Sequence, residues 1–390
     1  MAQTGRKGRL HPSVGSARKK FVDVLEDHLP GFCAAPTGRT RGDVPDEAGD
    51  VPLALVACSG GPDSLALASV AAHFARRGDL RVGAVIVDHA LQDGSSEQAE
   101  RAATECRRLG LDPVRTVRAV VRSQGMGPEM AARTARYEVL DRTAREEEAR
   151  AVLLGHTLDD QAETVMLGLA RGSGTRSLSG MPQARRIDEP ATEDAALLIR
   201  PFLDLRRRDT LAICEAEGIE PWHDPTNEHL AFRRNLVRHE VLPFLEERMG
   251  PGITQALART AAVLGPDAEF LEQRADEVAR TAAADPADYQ PVPMKEGQRP
   301  AGALSMPELR AAHPAMRRRV LARAIVASGG ESPSFERLRA LDELLAGHGN
   351  AGPIQMAGHV AVWRRRPLAQ PGSEQHRQGR DGALVLIRSS

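Results

Sequence analysis

Between residues 53 and 169, short apolar runs alternate with longer stretches in which apolar side chains recur every three or four positions. The runs 53–58, 82–87, 114–121 and 151–154 have the length and β-branched content of strands, and the stretches 63–76, 96–109, 129–147 and 160–169 have helical period. This βαβα order predicts an α/β fold: a mostly parallel twisted sheet with helices on both faces and ligands at the carboxyl ends of the strands. A glycine- and serine-rich loop follows Arg171, and the acidic, alanine-rich stretch 185–196 reads as a surface insertion outside the core. A strand at 197–202 and a helix at 206–217 complete the first domain, followed by a polar loop and a helix at 236–248. Beyond Pro251 helical period dominates at 253–280, 316–326 and 335–345, with strand signal only at 353–363. That predicts a smaller, mainly helical second domain closed by a hairpin. A short helix at 17–28 and a Pro/Gly/Asp/Thr-rich linker at 34–50 precede the first strand. The expected organisation is an N-terminal extension (1–50), a first domain (51–248), a helical domain (249–370) and a tail (371–390). There are no internal repeats.

Composition narrows the class. With 390 residues, 41% hydrophobic and 27% charged, the chain matches a soluble protein too long for one core. No apolar run approaches the roughly 20 residues that span a bilayer, and the basic start lacks a signal-peptide core, so a cytoplasmic location without membrane attachment is expected. Cys33, Cys58, Cys106 and Cys214 form no C-x-x-C pair, which argues against a disulfide framework, a zinc ribbon or an iron-sulfur cluster. The net charge of -1 hides local clusters at Arg206-Arg207-Arg208, Arg233-Arg234, Arg317-Arg318-Arg319 and Arg364-Arg365-Arg366. A single charge run reads as a solvated face; four in the later half of the chain mark where an RNA-contacting surface could be built.

The segment 53–64 is an apolar strand that runs through Ser59-Gly60-Gly61-Pro62-Asp63-Ser64 into a helix. Glycines let the backbone approach an anion, the helix start offers free N–H groups and positive potential, and Ser59 and Ser64 add hydroxyl donors. Pro62 suits a first helical turn, where its missing N–H costs nothing. A carboxylate beside phosphates is repulsive unless a divalent cation lies between, so Asp63 points to Mg²⁺. The bland alternative is a tight corner with Ser or Asp as a helix cap. Neither a Walker loop nor a G-x-G-x-x-G fingerprint occurs.

The string Ser59 to Ser64 resembles the S-G-G-x-D-S loop of the PP-loop ATP pyrophosphatases, a resemblance that implies ATP as substrate, with AMP and pyrophosphate released. Further motifs narrow the likeness: Asp88-His89-Ala90-Leu91; Glu129 with Arg133, Arg136 and Tyr137; Gly155-His156 with Asp159, Asp160, Gln161, Glu163 and Thr164; Arg200-Pro201-Phe202-Leu203; Asp224-Pro225-Thr226-Asn227; and Arg234-Asn235 with Arg238. In this order, across residues 53–245 with a weaker helical similarity at 304–363, they resemble the tRNA(Ile)-lysidine synthetase family. Gln92 and Ser177 depart from it, standing where the family often has arginine and glycine.

That resemblance implies adenylation of a cytidine at C2 followed by attack of the lysine ε-amine, in the tRNA(Ile) bearing a CAU anticodon. It makes 51–248 the ATP-binding catalytic domain and 249–370 the tRNA-binding domain. Within it, Ser59 to Ser64 hold ATP with Mg²⁺ near Asp63, while Arg133 and Arg136, three apart on one helix, steady ATP or the activated intermediate. Asp160 and Glu163 share a helix face and could hold the lysine ammonium, with helix capping as the alternative. His156 stands at the carboxyl edge either as a ligand contact or as a structural imidazole, and either carboxylate or solvent could take the amine's proton. Arg234 and Arg238, one turn apart, are contacts to RNA or pair with local acids. A tRNA sulfur-transfer enzyme and a non-catalytic RNA-binding protein are the rival readings. Oligomeric state is not legible.

Overall fold

The structure, a computed structural model, describes residues 10–34, 51–88, 94–121, 128–172, 174–187, 195–348, 350–368 and 382–389. Expectations for 35–50, for His89 to Gln92 and for most of the stretch 371–390 lie outside them. No helix among the described residues is long and apolar enough to cross a membrane. The chain divides into two compact units, residues 1–265 and 266–390. The change of sequence pattern near Pro251 puts the break earlier. The difference arises because the helix from Ile253 keeps Thr254 and Ala261 buried within the first unit.

In chain order the first unit holds α1 (Pro12–His28), β1 (Leu53–Ala57), α2 (Pro62–Arg77), β2 (Arg81–Asp88), α3 (Ser95–Leu109), β3 (Val114–Arg118), α4 (Pro128–Glu146) and β4 (Ala151–Leu153). It continues with α5 (Leu158–Ala170), α6 (Thr175–Leu178), β5 (Ala184–Arg186), β6 (Leu197–Ile199), α7 (Arg207–Ala216), α8 (Arg233–Leu236) and α9 (Leu242–Met249). Along β1, Ala54 and Val56 face one side and Leu53 and Leu55 the other, and all four are buried, as a central parallel strand requires. On the first side they pack with Leu67, Val70 and Phe74 of α2, Ala103 of α3 and Ile213 of α7; on the second with Leu140 of α4.

The sheet order is β3-β2-β1-β4-β6-β5, parallel except for β5, which runs antiparallel to β6. From β1 the chain proceeds outward to β2 and β3, then returns to place β4 on β1's other side. The carboxyl ends of β1 and β4 therefore flank a topological switch point, the place where such sheets bind ligands.

One peripheral reading is corrected, and the core gains a helix from the N-terminal extension. The helix of the N-terminal extension belongs to the core: Val14, Ala17, Phe21 and Leu25 are buried, and Phe21 stacks on Phe74 at 5.0 Å. The 185–196 insertion is anchored in the fold at both ends. Arg185 lies in strand β5, and Ile187, Ala195 and Ala196 are buried against Leu198, because alanine-rich sequence can fill a sheet face as readily as a loop.

The long helix α10 (Ile253–Ala282) passes from the first unit into the second. The second unit also contains β7 (Ala283–Ala284), β8 (Gln298–Ser305), α11 (Met306–Ala311), α12 (Pro314–Ala327), α13 (Phe335–Ala346), β9 (Ile354–Met356), β10 (Val360–Arg365) and β11 (Ala383–Ser389). The expected helices are present, but beside an antiparallel sheet ordered β7-β8-β11-β10-β9 rather than a lone hairpin. Residues 383–389, assigned to the tail, are its central strand. Leu384 and Leu386 face α12 and α13, while Ala383, Val385 and Ile387 line the opposite face.

Candidate active site

The turn after β1 begins where Cys58 N–H donates to the Val85 carbonyl at 2.9 Å, extending the β1–β2 pairing by one residue. Gly60 then takes φ of +80°, a conformation that favours glycine, and a Cβ there would meet the Ala102 methyl at 3.2 Å. The Ser64 hydroxyl is the organiser of the turn. It accepts from Ser59 N–H at 3.2 Å, lies 3.3 Å from the Ser59 hydroxyl and donates to the Gly61 carbonyl at 3.0 Å. Pro62 and Asp63 occupy the first turn of α2, so the helix start faces the crevice with Ser59 exposed.

The end of β4 presses on this loop. A Cβ at Gly155 would lie 2.8 Å from the Asp63 carbonyl oxygen, both of them backbone positions. Gly155→Ala is therefore expected to displace the loop, destabilising the unit by about 1–3 kcal/mol and weakening ATP binding about tenfold. Calorimetric ATP titration checks this; unaltered affinity would mean that the loop tolerates displacement.

After Gly155 comes His156, whose Nδ1 has no hydrogen-bond partner and whose imidazole burial holds down to about 3, hence neutral. Thr157 opens α5 through a capping box: its N–H and its hydroxyl both donate to Asp160, at 2.8 and 2.9 Å. Capping and ligand holding, the two readings of Asp160, are thus not exclusive, because its second oxygen points elsewhere. It accepts from Arg207 at 3.1 Å and Arg238 at 3.3 Å. Burial alone would raise Asp160, but the Arg207 and Arg234 charges outweigh it and keep the carboxyl below its ordinary value.

Glu163, one turn on, has a side chain only 1% exposed. Arg238 reaches it at 2.7 Å, Arg234 at 2.9 Å and Arg207 at 3.3 Å. Arg234 in α8 and Arg238 converge because the helix widens into a π turn at Val237–Val241 between α8 and α9, a local distortion common at functional sites. Arg207, at the start of α7 beyond β6, also lies 3.6 Å from Asp63, whose carboxyl accepts from the Thr210 hydroxyl. Burial raises Asp63 to about 6, against the pull of Thr210 and Arg207.

Three carboxylates (Asp63, Asp160, Glu163) thus face three guanidinium groups (Arg207, Arg234, Arg238). The structure brings Asp160, Glu163, Arg234 and Arg238 into one network and ties it to the PP-loop aspartate. Arg133 and Arg136 lie apart from this network, on α4 around Tyr137. Sequence reasoning missed Arg207 and Thr210 as site residues. Arg207 belongs to what reads as a surface charge run, yet it carries the central ion pairs, and its neighbour Arg206 pairs with Asp159 at 3.2 Å. Their position three to four residues before Thr210 at the start of a helix following a strand end was the available signal. Among the described residues no group of three His, Cys, Asp or Glu side chains gathers as a metal site.

Comparison with known proteins agrees with this layout. Residues 48–245 match the PP-loop domain family, and residues 304–367 match the TilS substrate binding domain family. The tRNA(Ile)-lysidine synthase of Thermobifida fusca (strain YX) is 44% identical over 337 residues, covering 86% of this chain and 91% of that protein. That of Streptomyces coelicolor is 41% identical over 363 residues, covering 91% and 97%. That of Leifsonia xyli subsp. xyli is 44% identical over 316 residues, covering 81% and 88%. A solved U34-tRNA thiolase from Methanococcus maripaludis superposes with a TM-score of 0.50 at 18% identity over 65% of this chain and 79% of that one, a likeness of fold. With near-complete relatives at this identity and a loop, strand order and crevice of PP-loop type, the chain belongs to the tRNA(Ile)-lysidine synthase family.

Proposed function

We propose that this protein joins L-lysine to C2 of the wobble cytidine in the CAU anticodon of tRNA(Ile), converting ATP to AMP and pyrophosphate. The observation that carries the reading is Arg207, which links the PP-loop Asp63 to Asp160 and Glu163. Nucleotide activation and amine delivery then share one crevice.

In the first half-reaction the cytidine O2 attacks the α-phosphorus of ATP and pyrophosphate leaves. The backbone N–H groups of the loop from Ser59 to Ser64 and the α2 start are the donors that hold the phosphates. Asp63 suits Mg²⁺: it is a hard oxygen donor beside the loop, and its raised value marks a buried carboxylate short of positive charge. One or two carboxylates plus phosphate oxygens are an ordinary Mg²⁺ set, and the ion supplies charge neutralisation on the phosphates when bound. In the second half-reaction the lysine ε-amine attacks C2, AMP departs, and the amine's proton passes to a carboxylate or to solvent.

Asp160 and Glu163 are the residues assigned to the lysine ammonium. Both are held by guanidinium groups, so an entering ammonium has to replace one of them. Replacement at Glu163 would free Arg234 or Arg238, the side chains assigned to the RNA, and thereby couple lysine entry to RNA contact. His156, neutral and with a free Nδ1, is a donor or acceptor for the base or the intermediate.

The test is direct. Incubation with ATP, Mg²⁺, labelled lysine and a tRNA(Ile) transcript with a CAU anticodon is expected to move label into RNA, and Asp63→Ala is expected to stop it. Label entering any tRNA alike, or sulfur transfer in its place, would overturn the reading.

A further inference from the structure

The loop between α7 and α8 joins the two halves of the crevice. It starts at Trp222, whose N–H donates to the Gly60 carbonyl of the nucleotide loop at 2.9 Å, and it ends at Arg234, which reaches Glu163 at 2.9 Å. Between those ends it is pinned by polar contacts. The Asp224 carboxylate accepts from the Thr226 N–H and hydroxyl at 2.9 and 2.8 Å, and the buried Asn235 amide donates to the Thr226 and His229 carbonyls at 2.9 and 3.0 Å. The Phe232 N–H closes the turn onto the His229 carbonyl at 3.2 Å, and the Phe232 carbonyl accepts from the Leu236 N–H at 3.0 Å.

This held turn presents apolar side chains to solvent. Leu230, Phe232 and Leu236 are 44%, 45% and 37% exposed, and Arg233 beside them is exposed and makes no ion pair among the described residues. A single exposed apolar side chain is ordinary. Phe232 differs from the other exposed phenylalanines in being bare. A guanidinium lies over each of the others: Arg248 over Phe244 at 5.7 Å, Arg274 over Phe270 at 5.5 Å and Arg318 over Phe335 at 5.5 Å. No ring or guanidinium among the described residues covers Phe232, although two arginines follow it directly, and the second of them, Arg234, is drawn inward by Glu163.

We infer that the Phe232 ring is a stacking platform for an unpaired base next to the target cytidine, with Leu230 and Leu236 extending its apolar surface and Arg233 supplying positive charge to the adjoining backbone. The inference rests on the function proposed above. A cytidine that enters the crevice from a single-stranded loop leaves its neighbours at the rim, unstacked and with open π-faces. Aromatic side chains recognise such RNA by stacking, and one stacked base contributes about tenfold in affinity or more. A second copy of this chain would also bury the patch. The RNA is the better occupant because the turn is continuous with the crevice that the cytidine must enter and carries a cation left free for phosphate.

The test uses the full chain with Phe232→Ala and, as the ring-retaining control, Phe232→Trp, after melting curves confirm folding. A hairpin carrying the CAU anticodon loop is titrated by anisotropy at several salt concentrations, beside a hairpin lacking the bases that flank the target cytidine, their sugars and phosphates kept. Phe232→Ala is expected to weaken binding of the intact hairpin about tenfold with the logarithmic salt slope unchanged, because no phosphate contact is lost, while Phe232→Trp stays within about threefold. The wild-type protein should lose a similar factor on the base-depleted hairpin, where Phe232→Ala then has no further effect. Unaltered affinity of Phe232→Ala, or an equal loss on both hairpins, overturns the inference. So does a wild-type dimer in sedimentation that Phe232→Ala converts to a monomer with RNA affinity intact, which gives the patch to a second copy. Lysine transfer by the wild-type protein separates the two readings: transfer with unaltered Phe232→Ala binding sinks the stacking site alone, and the expected binding pattern without transfer sinks the proposed reaction alone.

Discussion

Glu163→Ala is expected to be the most damaging single substitution in the first unit, costing about 3–5 kcal/mol of folding free energy. The reason is the asymmetry of buried ion pairs: removing one partner leaves the others desolvated and uncompensated. Here the abandoned partners are Arg207, Arg234 and Arg238, all within 3.3 Å of a carboxylate that is 1% exposed. A unit of this size should melt roughly 10 °C lower, as read by calorimetry. Glu163→Gln keeps the shape and one acceptor but turns an amide N–H₂ toward guanidinium donors, so it should recover only part of the loss. In that better-folded variant, KM for lysine should rise about tenfold while ATP affinity changes little. A Glu163→Gln protein with normal lysine kinetics would remove Glu163 from the amine site and leave it as a fold-stabilising anion.

How much of this was legible in sequence follows from how locally each feature is encoded. The loop from Ser59 to Ser64 could be read because strand, glycines and helix start are contiguous, and the structure forms that turn with Gly60 in the left-handed region. The shared helix face of Asp160 and Glu163 likewise follows from their i,i+3 spacing. Their occupants do not, because Arg207 lies 44 residues from Glu163 in the chain and Arg238 lies 75 away. The arginine runs illustrate the same limit. Arg317 and Arg318 both pair with Asp342 at 2.8 Å, Arg319 pairs with Glu272 at 3.1 Å, and Arg365 stacks on Trp363 at 4.5 Å. Runs that suggest an RNA-contacting surface thus spend much of their charge on internal partners. In the second unit β8 carries Pro300 and Gly302, which weaken its strand signal, and so its partner β11 reads as a tail although its apolar run is plain.

Arg207→Met is expected to move the acid limb of kcat/KM for ATP, followed as RNA-dependent pyrophosphate release, upward by about one pH unit. In the wild-type protein Asp63 titrates near 6 because burial disfavours its charge, and Thr210 and Arg207 recover part of that cost. Without the Arg207 cation the burial remains and the value must climb, so Asp63 would be about half protonated at neutral pH. With the ionised carboxylate as the working form, activity falls as pH drops through about 6 in the wild type and is already about half lost near neutrality in Arg207→Met. For folding the sign is opposite. An acid whose folded value exceeds its unfolded value binds more protons in the native state, so its stabilising contribution is lost as pH rises from about 4 to about 6. The loss is up to about 3 kcal/mol by the linkage relation, lessened by the 24% exposure of the side chain. Arg207→Met should therefore lower the melting temperature more at pH 8 than at pH 5, whereas Arg207→Lys, keeping the charge, should lie between it and the wild type in both measurements. A limb that stays in place in Arg207→Met would show that Asp63 does not depend on Arg207, and the link between the nucleotide loop and the amine site would then have to run through other atoms.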